Sequence, residues 1–78
     1  MNVKMYTTPF CKYCKVAKEF FKKKNVSYEE IDITTDQKLM REMMNKSKQM
    51  AVPVFDINGQ ILVGYNQAKL EEALVKVA

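Results

Sequence analysis

The spacing of apolar positions along this chain alternates between the period of a strand and that of a helix. Val3 to Thr7 is a short, mostly apolar run and predicts a central strand. Val16, Ala17, Phe20 and Phe21 then fall on one helical stripe, in a helix running to about Lys24 with Asn25 as its terminator. Val26, Tyr28, Ile31 and Ile33, with acids between them, predict a second strand of about seven residues. Thr34 and Gln37 form a capping box for a second helix, whose body carries Leu39, Met40, Met43 and Met44 and which frays near Lys46–Ser47. Those methionines are read as core filling, since an unbranched thioether fits irregular gaps. Two further apolar runs, Val52 to Ile57 and Gln60 to Val63, flank Asn58-Gly59, a strong signal for a two-residue hairpin turn. Gly64 ends the second run. Asn66 suits the N-cap of a last helix with Leu70, Ala73, Leu74 and Val77 on its apolar face.

The expected order is therefore β-α-β-α-β-β-α, an α/β fold. The first two strands are joined by a right-handed parallel crossover and the last two by an antiparallel hairpin. A mixed four-stranded sheet flanked by helices satisfies both connections, and residues 1–78 read as a single domain. No internal repeat, linker or low-complexity segment interrupts them.

Composition narrows the function classes. The 78 residues are 47% hydrophobic and 28% charged, as in an ordinary globular domain, and no apolar run approaches the ~18–20 residues of a membrane span. No signal peptide precedes the first strand pattern, so a cytoplasmic address is expected. The net charge is +4, but the lysines are dispersed, and the one run, Lys22-Lys23-Lys24, suits the C-terminal end of a helix dipole. Nucleic-acid binding would call for basic residues clustered on one face with aromatics among them. Neither a nucleic acid nor a membrane is an expected partner.

The candidate chemistry lies in Thr8-Pro9-Phe10-Cys11-Lys12-Tyr13-Cys14-Lys15, which holds the only two cysteines. The pair sits where the first strand gives way to the first helix. There the unpaired N–H groups and the positive end of the dipole favour a thiolate at Cys11, and Lys12 and Lys15 add positive charge. Cys14 is one turn on, on the same face and within disulfide reach. A structural bridge closing so short a loop would remove little unfolded-state entropy. A zinc site would need about four ligands, whereas the chain has two cysteines and no histidine. Two buried, inert cysteines would be the commonest reading of a random pair, but Cys-X-X-Cys at a strand–helix turn reads as redox-active, with Cys11 attacking and Cys14 resolving.

The element order, Cys11-Lys12-Tyr13-Cys14 and the Val52-Pro53 ahead of the hairpin together resemble the glutaredoxin and thioredoxin family. The resemblance runs over nearly the whole chain and is nearest to the short bacterial glutaredoxin-like redoxins, including those that serve ribonucleotide reductase. It implies a thioredoxin-like fold, a cis Val52–Pro53 bond beside the cysteines, and a Val52 backbone that pairs with an extended substrate as an added strand. It also implies a substrate groove of Lys12, Tyr13, Val52, Pro53, Tyr65 and Asn66 around the catalytic Cys11 and Cys14.

The chain departs from the family pattern in several places. Lys12 replaces the proline that often follows the first cysteine, and Thr8 replaces a lysine three residues before it. Ala51-Val52 stands for threonine-valine. Gly64-Tyr65-Asn66-Gln67 lacks the acids that hold glutathione's amino group.

The expected activity is that of a dithiol protein-disulfide reductase with no metal and no organic cofactor, acting as a monomer on disulfide-containing proteins. Its electron donor is expected to be a thioredoxin-reductase-type enzyme or glutathione. The rival readings are a glutathione-dependent glutaredoxin, an iron–sulfur or metal carrier using Cys11 across a dimer, and a binding module with incidental cysteines.

Overall fold

Alternation along the strands decides which side of the sheet each residue faces. A computed structural model describes residues 2–76, with β1 (Val3–Thr7), α1 (Lys12–Lys23), β2 (Glu29–Asp32), α2 (Gln37–Ser47), β3 (Val54–Ile57), β4 (Gln60–Val63) and α3 (Gln67–Lys76). The strands lie in the order β2-β1-β3-β4; β1 pairs parallel with β2, and β3 pairs antiparallel with both β1 and β4. This is the expected mixed sheet of a thioredoxin-like fold.

Cross-strand pairs Val3–Ile57 and Met5–Phe55 face one side, where Ala17, Phe20 and Phe21 of α1 and Leu70 and Ala73 of α3 complete a buried cluster. Tyr6 and Val54 face the other side and join Ile31, Ile33 and Met43 of α2. The first cluster is aromatic at its centre. Phe21 meets Phe55 edge-on at 5.8 Å and Tyr28 at 4.8 Å between ring centroids.

Several sequence expectations shift on folding. The second strand is four residues long, because the end of α1 takes the residues before it. Asn25 adopts φ 55°, Asn25 N–H donates to Lys22 O, and Val26 N–H donates to Phe21 O, which together make a Schellman closure. Val26 and Tyr28 pack on the aromatic cluster from outside the strand. The capping box at Thr34 does not form. Asp32 Oδ1 accepts both Thr34 N–H and the Thr34 hydroxyl, so the cap passes to Asp36, whose carboxylate accepts Lys38 N–H at 2.8 Å. The third strand starts at Val54 rather than Val52. Val16 and Met44, expected in the core, sit at the margins of their helical stripes and are 42% and 39% exposed. Val77 lies outside the described residues.

Other local signals hold. Asn58 and Gly59 take φ 51° and 93°, the turn that matches the twist of the hairpin, and Asp56 Oδ1 accepts Gly59 N–H. Asn66 Oδ1 accepts Lys69 N–H at 3.1 Å as the cap of α3. No described helix is long and apolar enough to cross a membrane.

Candidate active site

The register brings three connections to one end of the sheet. β1 rises to Thr7 beside the start of β3, since Tyr6 pairs with Val54. β4 finishes at the same level, where Gly64 N–H donates to Pro53 O at 2.8 Å. The segments 8–11, 50–53 and 64–66 therefore surround one mouth, and the Val52–Pro53 bond within it is cis.

Cys11 is the N-cap of α1 and is partly exposed. Its Sγ accepts Cys14 N–H at 3.1 Å, so a helix-start donor already points at that sulfur. Cys14, one turn in, is 1% exposed. The two form a disulfide with 5.2 Å between Cα atoms. Lys12 and Tyr13 lie exposed in the first turn of α1 between them, and Phe10, just before Cys11, is 90% exposed. Among the described residues, no group of three or more His, Cys, Asp or Glu side chains could hold a metal ion.

The remaining residues named from sequence divide between two places. Val52 lines a shallow cavity of about 170 Å³ together with Thr8, Ile33, Met43, Met50 and Ala51. Pro53 is buried beside it at the head of β3. Tyr65 turns instead onto α1, its ring edge-on to Phe20 at 6.4 Å, and lines a separate cleft with Val16, Glu19 and Gln67. The Asn66 side chain is committed to its own helix as the cap. Sequence reasoning did not pick out Thr8, Met50 and Ala51 as wall residues. Thr8 and Ala51 carried a signal, each as a departure from the family pattern; Met50 lies in an irregular stretch whose apolar positions have no period.

A polar chain fixes the helix that leads into that wall. Tyr6 Oη donates to Glu42 Oε2 at 2.6 Å, while Lys46 Nζ donates to Tyr6 Oη at 2.8 Å and to Asp56 Oδ2 at 2.7 Å. Burial disfavours the charge on Lys46, yet its bonds to Asp56 and Tyr6 outweigh this and hold its ammonium above the usual lysine range. Burial pushes Asp56 up, but the bonds from Lys46 and Gly59 N–H carry it below the ordinary carboxylate value. Tyr6 is raised by burial and by Glu42. Just beyond Lys46, buried Ser47 donates its hydroxyl to Met43 O, its Oγ accepts Gln49 N–H, and Lys48 turns the chain at φ 62°. These bonds set the path of Gln49 to Val52.

A partly exposed sulfur at a helix start, with a buried sulfur behind it on this mixed sheet, defines a thiol–disulfide oxidoreductase of the thioredoxin fold. The family model for glutaredoxin matches residues 3–62. The chain is 40% identical over 74 residues to an uncharacterized glutaredoxin-like 8.6 kDa protein from the rubredoxin operon of Clostridium pasteurianum, covering 95% of this chain and 99% of that one. It is 35% identical over 63 residues to glutaredoxin 3 of Escherichia coli K12, covering 81% and 76% of the two chains. The crystal structure of an Archaeoglobus fulgidus glutaredoxin superimposes with a TM-score of 0.87 at 31% identity, covering 94% of this chain and 85% of that one. The chain belongs to the glutaredoxin family, whose mark here is a Cys-X-X-Cys redox-active disulfide.

Proposed function

We propose that this protein is a dithiol reductase of protein disulfides, with Cys11 as the attacking thiol and Cys14 as the resolving one. The observation that carries this reading is their inequality at one helix start. Cys11 Sγ is reachable and faces a helix N–H, whereas Cys14 is shut behind it.

In the reduced protein the Cys11 thiolate attacks one sulfur of a substrate disulfide. That S–S bond breaks, the leaving sulfur takes up a proton, and a mixed disulfide forms on Cys11. Cys14 then loses its proton and attacks Cys11 Sγ, which releases the second substrate sulfur as a thiol. Two electrons have passed to the substrate, and the Cys11–Cys14 bond awaits two from an external donor.

Val52 supplies the strand-pairing edge. Among the described residues no other group of the chain engages its N–H or C=O, so both are open to an extended substrate. Lys12 and Tyr13 border the reacting sulfurs, and Pro53 sets the start of the edge. Tyr65 and Asn66 close the third side through their backbones. A cytoplasmic setting, where thiols are kept reduced, suits the role.

The donor is a thioredoxin-reductase-type enzyme rather than glutathione. Glutathione presents two carboxylates and one ammonium. The lysines near Cys11 answer the carboxylates, but Tyr65, Asn66 and Gln67 offer no acid to the ammonium, and the Asn66 oxygen is taken by Lys69 N–H. Lack of one charge-assisted hydrogen bond, about 1.5–3 kcal/mol, weakens binding roughly ten- to a hundredfold.

Two experiments test the reading. Cys14→Ser should accumulate mixed disulfides on Cys11, and Cys11→Ser should lose all reductase activity; faster alkylation of Cys14 than of Cys11 in the reduced protein would reverse the roles. Recycling of the oxidised protein should be faster with thioredoxin reductase than with glutathione and glutathione reductase. Equal turnover with micromolar glutathione would replace the donor assignment with the glutathione-dependent reading.

A further inference from the structure

The charges at the catalytic mouth are of one sign. Elsewhere acids stand among the lysines, and three pairs close: Lys18 with Glu30, Lys24 with Glu71 and Lys46 with Asp56. The segments 8–15, 48–53 and 64–66 contain Lys12, Lys15 and Lys48 and not one acid, and all three lysines are exposed. The first acid after the cysteines is Glu19, roughly 12 Å along α1 from Cys11 at 1.5 Å per residue. Two carboxylates do lie at this end: Asp32 closes β2 opposite Thr7, and Asp36 follows in the turn before α2. Asp32 holds Thr34 and Asp36 caps α2. Beside the sulfurs the exposed charges are Lys12 and Lys15, and Lys48 opens the loop that carries Met50 and Val52.

The same mouth exposes apolar surface that the fold does not use. Phe10 is 90% exposed, Tyr13 61% and Met50 62%. Phe10 and Tyr13 flank Cys11, and Met50 stands on the wall shared with Val52. An aromatic residue left almost wholly in water beside a reacting atom is a contact surface waiting for a partner.

We propose that this mouth selects protein disulfides whose cysteine lies in an extended segment bearing acidic residues with an aromatic or aliphatic neighbour. The inference rests on the reductase reading above and names the substrate class for that site. Acidic side chains of the segment meet Lys12, Lys15 and Lys48, its apolar side chain covers Phe10 or Met50, and its backbone pairs along Val52. Complementary charge raises the encounter rate and rejects basic segments through like-charge repulsion.

The test uses the full chain and three cystine-linked peptides of equal length that share one phenylalanine and differ only in flanking Glu, Gln or Lys residues. Initial rates of reduction at limiting peptide give relative kcat/KM at about 10 mM and 150 mM salt. The expected order is Glu above Gln above Lys. The Glu-to-Lys ratio should reach roughly tenfold at low salt and shrink as the screening length falls from ~30 Å to ~8 Å. In K15E/K48E protein, rates normalised to the Gln peptide should lose this preference or invert it. Equal rates for all three peptides at low salt would overturn the charge selection and leave the reductase reading standing. Failure to reduce any of them would bring down both.

Discussion

The two faces of the sheet are built on different physics. The face under α1 and α3 is dry: Phe20, Phe21 and Phe55 interlock with Met5, Ile57 and Leu70, with Phe21 and Phe55 fully buried. The face under α2 is narrower and carries the Tyr6–Glu42–Lys46–Asp56 chain across a smaller apolar cluster. The dry face holds α1, which presents both cysteines. The polar face holds the last turn of α2, from which the chain runs to Met50 and Val52. Half the mouth is thus fixed by non-directional packing and half by directed charge-assisted bonds. That difference predicts that the two halves fail differently.

The dry face should fail hard and cannot be rescued. Phe21 touches three other rings, and Phe21→Ala removes a fully buried aromatic that nothing nearby can replace. A loss of about 3–5 kcal/mol is expected, a large share of what so small a domain has. Urea denaturation should show a population already unfolded at modest denaturant. A loss under about 1 kcal/mol would mean that the cluster collapses around the gap and is not the rigid support described.

The polar face should fail less and be repairable. Lys46→Met strands the half-buried Asp56 carboxylate with only Gly59 N–H and should cost about 1–3 kcal/mol. Adding Asp56→Leu should recover part of that, because an apolar pair of similar volume needs no charge compensation. A double variant weaker than the sum of the singles would show the network to be worth more than its desolvation costs.

The same chain sets a pH dependence. Asp56 is lowered by folding, so its contribution is present above the unfolded value of ~3.9 and is lost as pH falls through the folded one. Lys46 and Tyr6 are raised, so theirs is present at neutral pH and lost as pH climbs beyond ~10–10.5. Stability measured from pH 2 to 11 should therefore drop at both ends, and Lys46→Met should flatten the acid limb, while the Tyr6 part of the alkaline limb persists because burial and Glu42, not Lys46, raise Tyr6. An unchanged acid limb in that variant would assign its titration to other groups.

The two faces were also unequally legible in the sequence. Periodicity marked the dry face, because Phe20 and Phe21 repeat with Ala17 at helical spacing and Phe55 and Ile57 alternate. The hairpin and the α3 cap were readable since Asn58-Gly59 and Asn66 act within a few residues. The Cys11–Cys14 pair was readable for the same reason. The polar face was hidden, because Tyr6 meets Glu42 and Lys46 across 36 and 40 residues, and no local pattern links residues so distant. The Asp36 cap was missed because Asp32 draws off Thr34, a competition visible only once the turn has closed. Tyr65 was assigned to the mouth by family position, while its ring follows Phe20.

A smaller effect should separate apolar support from polar finishing within the dry face itself. Asn66 caps α3, and Asn66→Ala should cost about 1 kcal/mol, with Asn66→Asp close to neutral. The aspartate variant also places an acid beside the mouth. If the missing ammonium partner is what excludes glutathione, turnover with glutathione should rise in Asn66→Asp while stability stays level; a flat response would remove that explanation of the donor preference.

The smallest effect compares two ion pairs of nearly equal length. Lys18–Glu30 spans 2.6 Å and Lys46–Asp56 spans 2.7 Å, so distance alone would rank them together. Their surroundings differ: the first pair's side chains are 37% and 41% exposed, the second pair's 27% and 15%. Water competes for the Lys18 and Glu30 charges and salt screens them, whereas Lys46 is also held by the Tyr6 hydroxyl. A double-mutant cycle on Lys18→Ala and Glu30→Ala should give a coupling of about 0.2–0.5 kcal/mol that fades in 0.5 M salt. The cycle on Lys46→Met and Asp56→Leu should give a larger coupling that salt barely changes, because partial burial keeps counterions out. Equal couplings with equal salt sensitivity would erase the distinction between the two pairs and leave α2 held chiefly by its apolar contacts around Met43.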